Sequence, residues 1–115
     1  MNPFGHIDLR VRDLAAAQEF YEQLLPALGY TERFHGEAWK VWAAAPDSYF
    51  AVTESAAHVA NENRIAFAVA SHDEVDRIAE VVGATPKKMP YGPDYYAIFF
   101  ADPSGNLLEV YFRNG

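Results

Sequence analysis

The chain has 115 residues, half of them apolar and 15% aromatic, enough to form one domain that buries about two-thirds of its unfolded surface. A net charge of −7 excludes the cationic footprint that nucleic-acid phosphates require, and zero cysteines exclude disulfides, thiolate metal sites and a cysteine nucleophile. The N-terminus lacks a charged and then apolar leader, and no apolar run is long enough to span a bilayer, so a soluble cytoplasmic protein without a membrane partner is expected.

Residues about 4–12 alternate apolar and polar, which predicts a strand. Asp13 then caps a helix whose apolar positions Leu14, Ala17, Tyr21, Leu24, Leu25 and Leu28 keep the spacing of one packed face. Pro26 kinks or ends that helix and Gly29 completes the stop. Strands are predicted around 30–34, 38–44 and 49–54, and a polar connector over 55–63. A strand over 64–69 follows, then a helix opened by the capping box Ser71-His72-Asp73-Glu74 and closed by Gly83. Lys87 to Asp94 reads as a Pro/Gly-rich loop ahead of strands over 95–101 and 107–112, and Tyr91 to Tyr96 has the character of a lid or a connector.

The halves are copies of one another. His6 to Asp13 and Arg64 to Ser71 share the same alternation and both end on a cap residue, at an offset of 58 that recurs between Ala51 and Glu109. At the helix ends, Gly29 and Gly83, the offset slips to 54, so the first helix is about one turn longer. The pattern is strand-helix-strand-strand-strand, twice, with modules over about 4–54 and 64–112 and a site expected between them.

Strand parity sorts the side chains. Ile7, Leu9, Val11, Phe50, Val52, Ile65, Phe67, Val69, Leu108, Val110 and Phe112 are expected beneath the helices. The opposite face then carries His6, Asp8, Arg10, Tyr49, Ala51, Thr53, Arg64, Ala66, Ala68, Leu107, Glu109 and Tyr111. Small, aromatic and ionisable residues mixed in this way suit a ligand cavity better than a second core.

The opening His6-Ile7-Asp8-Leu9-Arg10-Val11-Arg12-Asp13-Leu14, with Phe20-Tyr21 and Leu28-Gly29-Tyr30, resembles the glyoxalase / bleomycin-resistance / dioxygenase (vicinal oxygen chelate) superfamily. So does the ending Asp102-Pro103-Ser104-Gly105-Asn106-Leu107-Leu108-Glu109. The resemblance implies an α+β fold of duplicated βαβββ modules, a cupped mixed sheet with helices outside, assembled as a homodimer. It also implies four metal positions, which here are His6, Ala51, Arg64 and Glu109. His6 and Glu109 fit as ligands; Ala51 has no donor and Arg64 replaces a histidine.

Two ligands are too few for zinc or for a two-histidine-one-carboxylate iron site. Asp8 is a possible third, and His35, His58 or a partner subunit are others. A guanidinium about 5 Å from a divalent ion is opposed by roughly 6 kcal/mol at an effective dielectric near 20. Arg64 suits a ligand carboxylate or phosphate, or a structural pairing with Glu109 or Asp8. Glu109 is either a ligand or base, or the partner of Arg64 or Arg10. The helix carboxylates Glu19, Glu22, Asp73 and Glu80 read as a solvated face.

The expected function is small-molecule binding with an incomplete metal site and no cofactor, such as drug or metabolite sequestration. Asp8, Arg10, Tyr49, Thr53, Arg64, Tyr95 and Tyr111 are the candidate ligand contacts, and Trp39, Trp42, Tyr91, Tyr96 and Phe99 are further aromatic candidates. The alternative is a metal-dependent lyase or isomerase of the glyoxalase type, or an extradiol-type dioxygenase, using zinc, nickel, iron or manganese with Glu109 as ligand or base.

Overall fold

Alternating apolar residues make His6–Val11 the first strand, β1, and helix α1 (Leu14–Ala27) follows it. The computed structural model describes residues 3–114. Beyond α1 come β2 (Thr31–His35), β3 (Trp39–Ala44) and β4 (Ser48–Glu54), in the sheet order β1-β4-β3-β2. The chain divides into two compact units, the first ending at Val59. The second holds β5 (Arg64–Ala68), α2 (His72–Val82), β6 (Lys87–Met89), β7 (Tyr95–Ala101) and β8 (Leu107–Arg113), in the order β5-β8-β7-β6. Each unit is thus a βαβββ module with a mixed four-stranded sheet, an α+β architecture.

Local chemistry fixes both helix starts. The Asp13 carboxylate accepts from the amides of Ala15 at 3.0 Å and Ala16 at 3.3 Å. Glu54, at the end of β4, accepts from the Leu14 amide at 2.9 Å and so ties α1 to its own sheet. In α2 the Ser71 hydroxyl accepts from Glu74 at 3.2 Å, while Glu74 accepts from the Ala70 amide at 2.8 Å. The carboxylate therefore reaches one residue further back than the capping-box pattern specifies. Pro26 lies in the last turn of α1, where it removes the amide that would reach the Glu22 carbonyl, and the helix ends one residue later at Ala27. Gly83 closes α2 in the left-handed region at φ 73°, a conformation costly for any residue with a β-carbon.

The apolar stripe of each helix buries against the matching parity of its sheet. Leu14, Ala17, Tyr21, Leu24 and Leu25 cover Phe50, Val52 and Trp42, with the Tyr21 ring 5.4 Å from that of Phe50. In the second unit Val75, Ile78 and Ala79 cover Phe67, Ile98, Leu108 and Val110. Each large side chain removed from water contributes about 1.5–3 kcal/mol.

Two expectations need correction. The start of the 87–94 segment is not loop: Lys87–Met89 pairs antiparallel with β7, because its backbone continues the sheet before Pro90 removes a donor. Nor is Glu22 merely solvated. It reaches over β3 to the ammonium of Lys40, a residue only 6% exposed, which also meets Glu32 at 2.5 Å and lies 5.3 Å from the Trp42 ring centroid. Burial works against that charge, but hydrogen bonds to the two glutamates outweigh it and raise the Lys40 pKa. The hydrogen bond from Lys40 and its positive charge lower that of Glu32.

Lys40→Ala removes cation and stem together and is expected to cost about 1–3 kcal/mol in urea unfolding at pH 7. Lys40→Met keeps the stem over Trp42 and is expected to cost clearly less; equal losses would show that the stem contributes nothing. The Glu32 contribution is present above the unfolded carboxylate value of about 4.3 and is lost as pH falls through the lower folded value. The Met variant should accordingly show a flatter acid limb.

Candidate functional site

Pairing register decides which side chains share the face away from each helix. In the first unit His6 lies opposite Tyr49, Asp8 opposite Ala51 and Arg10 opposite Thr53. Asp8 accepts from Arg10 Nη1 at 2.7 Å and from Thr53 Oγ1 at 3.0 Å, so the carboxylate and the cation expected to meet a ligand satisfy one another. His6 and Tyr49 are exposed at the start of this row, and Ala51 brings no donor atom beside them.

The same offset of 58 carries the register into the second unit. Arg64 lies opposite Leu107, Ala66 opposite Glu109 and Ala68 opposite Tyr111, while Phe99 faces Glu109 from β7 and Tyr95 faces Arg113. Glu109 is 7% exposed. The Tyr95 phenol donates to its Oε2 at 2.5 Å. The rings of Tyr95 and Tyr111 stack in parallel at 5.0 Å, and Tyr91 meets Tyr95 edge-on at 5.2 Å. A buried carboxylate is thus held by a phenol within an aromatic wall. Burial, and then the hydrogen bond to Glu109, keep Tyr95 protonated well above the ordinary tyrosine range, so it is a donor here and not a base.

Arg64 does not form the ion pair with Glu109 that its charge suggested. Its guanidinium lies over Phe99, 5.0 Å from the ring centroid, while the phenol of Tyr95 occupies Glu109. Within this unit, then, the structure brings together Glu109, Tyr95 and Tyr111 and leaves Arg64 apart. Lys87 and Arg113 share the face and were missed. Arg113 was accessible by parity from Tyr111, whereas Lys87 was hidden because its segment reads as loop. The 91–94 stretch is fastened at Asp94, whose side chain meets His72 Nε2 at 2.9 Å and whose carbonyl accepts from Asn114 at 3.1 Å.

Among the described residues no three of His, Asp or Glu are grouped to hold a metal ion. The positions of the implied metal set do not fit one: Ala51 has no ligand atom, Arg64 is a permanent cation, and Glu109 has one oxygen engaged by Tyr95.

Tyr95→Phe is expected to lower stability by about 1–3 kcal/mol, because Glu109 loses its donor. The raised phenol pKa contributes fully below the unfolded value of about 10, and that contribution is lost as pH rises through the folded value. The variant should therefore lose less stability between pH 9 and about 11 than the parent. Urea midpoints across that range test it, and identical alkaline limbs would refute the role given to this hydrogen bond.

Comparisons with known proteins agree with this architecture. A candidate glyoxalase from Bacillus halodurans superposes with a TM-score of 0.85 at 21% identity, covering 98% of this chain and 97% of that one. A glyoxalase/bleomycin resistance protein from Albidiferax ferrireducens T118 gives 0.78 at 24% identity, covering 97% and 100%. The fosfomycin resistance protein FosX from Listeria monocytogenes gives 0.74 at 21% identity, covering 100% and 94%. Identities this low establish a shared fold. No curated protein matches the sequence. The profile of the Glyoxalase/Bleomycin resistance protein/Dioxygenase superfamily matches residues 4–110, and the chain belongs to that superfamily.

Proposed function

We propose that this protein binds a small organic molecule on the helix-free face of its second sheet and holds it without a resident metal, as a sequestering protein for a drug or metabolite. The observation that carries the reading is the environment of Glu109. A carboxylate 7% exposed, given a phenol donor and flanked by stacked Tyr95 and Tyr111, is a polar anchor set in an aromatic surface. The glyoxalase and resistance proteins that share the fold make small-molecule binding a natural use of such a face. A homodimer belongs to the same reading, since Phe34, Trp39 and Tyr49 leave substantial apolar area open on the first unit. The rival metal-dependent enzyme needs at least three donors, and the positions of Ala51 and Arg64 supply none.

Elemental analysis of protein purified without chelator separates the two. Substoichiometric zinc, nickel, iron and manganese are expected, and one equivalent of any of them would defeat the metal-free reading. Arg64→His is expected to raise affinity for zinc and nickel, because it removes a cation and adds an imidazole. Unchanged affinity would count against the placement of Arg64 at a vestigial ligand position.

A further inference from the structure

The helix-free face of the second sheet differs in sign from the chain as a whole. The protein carries −7, yet this face presents Arg64 on β5, Lys87 on β6 and Arg113 on β8 against a single carboxylate, Glu109. The three cations are exposed, while Glu109 is withdrawn to 7% exposure and bonded by Tyr95. Local potential, not net charge, governs what a small molecule meets at contact distance.

Arg64 is the cation that the structure prepares. Its guanidinium is stacked over Phe99, and it forms no ion pair with any carboxylate among the described residues. Stacking uses one flat side of the group and leaves its N–H edge for a planar, two-oxygen acceptor. Past Arg64 the strand presents only the methyls of Ala66 and Ala68, both exposed, beside Glu109 and Tyr111. Arg64 reaches across β8 to Phe99, which is level with Glu109 and Ala66, so its guanidinium stands two strands, about 10 Å, from Ala66, a span that a two-ring acid bridges. The first unit offers no such cation beside its acid, because Arg10 is engaged by Asp8.

We infer that the ligand is an anion, a planar aromatic molecule whose carboxylate or phosphate group sits on Arg64 and whose rings lie over Ala66 and Ala68 against Tyr111. This rests on the binding role proposed above and names the chemical class it serves. Glu109 sets a second condition. It lies between Phe99 and Ala66 and repels an anion placed there, so the charged group is held to the guanidinium itself.

The test uses four probes that share one ring system: 2-naphthoate, 2-naphthyl phosphate, 2-naphthamide and 2-naphthylmethylammonium. Their binding to the parent protein and to Arg64→Gln is measured by calorimetry at low and moderate salt. The two anions are expected to bind the parent at least about tenfold more tightly than the amide, with the ammonium weakest. Arg64→Gln should abolish the anion preference and leave amide affinity in place, and added salt should narrow the gap. The tighter of the two anions identifies the carboxylate or phosphate class. Amide or ammonium binding as tight as the anions, or an anion preference that survives Arg64→Gln, would overturn the inference while leaving the binding role intact. Failure of all four probes to bind the parent would overturn the binding role and this inference with it. Arg64 is exposed, so an unchanged circular dichroism spectrum is expected of the variant.

Discussion

In both units the strand that opens the segment lies parallel to the strand that closes it, with His6 opposite Tyr49 in one and Arg64 opposite Leu107 in the other. Side chains alternate along a strand, so this one pairing assigns each residue either to the helix or to the open face. The apolar parity meets Tyr21 and Leu24 in the first unit and Val75 and Ile78 in the second, and the remaining parity is left to chemistry. Positions diverge between the copies on the open face much more than beneath the helices. Asp8 and Ala66 correspond, as do Ala51 and Glu109, and each exchange alters charge.

That divergence produces two different electrostatic solutions. In the first unit a carboxylate and a guanidinium two residues apart neutralise each other at the surface, and Thr53 completes the acceptor. In the second the acid goes to a phenol and the base to an aromatic ring. Separating the charges keeps each available: a neutral O–H satisfies the acid without cancelling its charge, and a ring attracts the guanidinium without supplying a counter-ion. The helix side of the first unit shows the opposite treatment of charge, since Lys40 is buried and shared by two glutamates at its edge.

Much of this was legible in the sequence. The offset of 58 between His6 and Arg64 persists in the strand register, so the duplicated module and the sorting of faces follow from periodicity, and both cap residues from their side-chain chemistry. What periodicity could not supply was the choice among partners on one face. Arg64 had Glu109 within two strand positions, yet Tyr95, brought in by β7, takes that carboxylate. Charge alone predicts an ion pair; the competing phenol depends on a strand remote in sequence. The Lys40 cluster was hidden for the same reason, since its two acids come from α1 and β2. The short strand β6 escaped notice because Pro90, Gly92 and Pro93 dominate the composition around it.

The turn between β7 and β8 is built from the residues that made the family resemblance visible. Asp102, 5% exposed, accepts from the amides of Ser104 and Asn106 and from the Asn106 side chain, each at 2.9 Å, while Gly105 turns at φ 87°. None of these residues belongs to the aromatic wall, yet they fix where β8 begins. A slip of a single position there would invert the strand, turning Glu109 towards α2 and Val110 towards water. The signature therefore serves as a register lock, and a mutation in this hairpin bend would rearrange the face that carries Glu109 without touching that face.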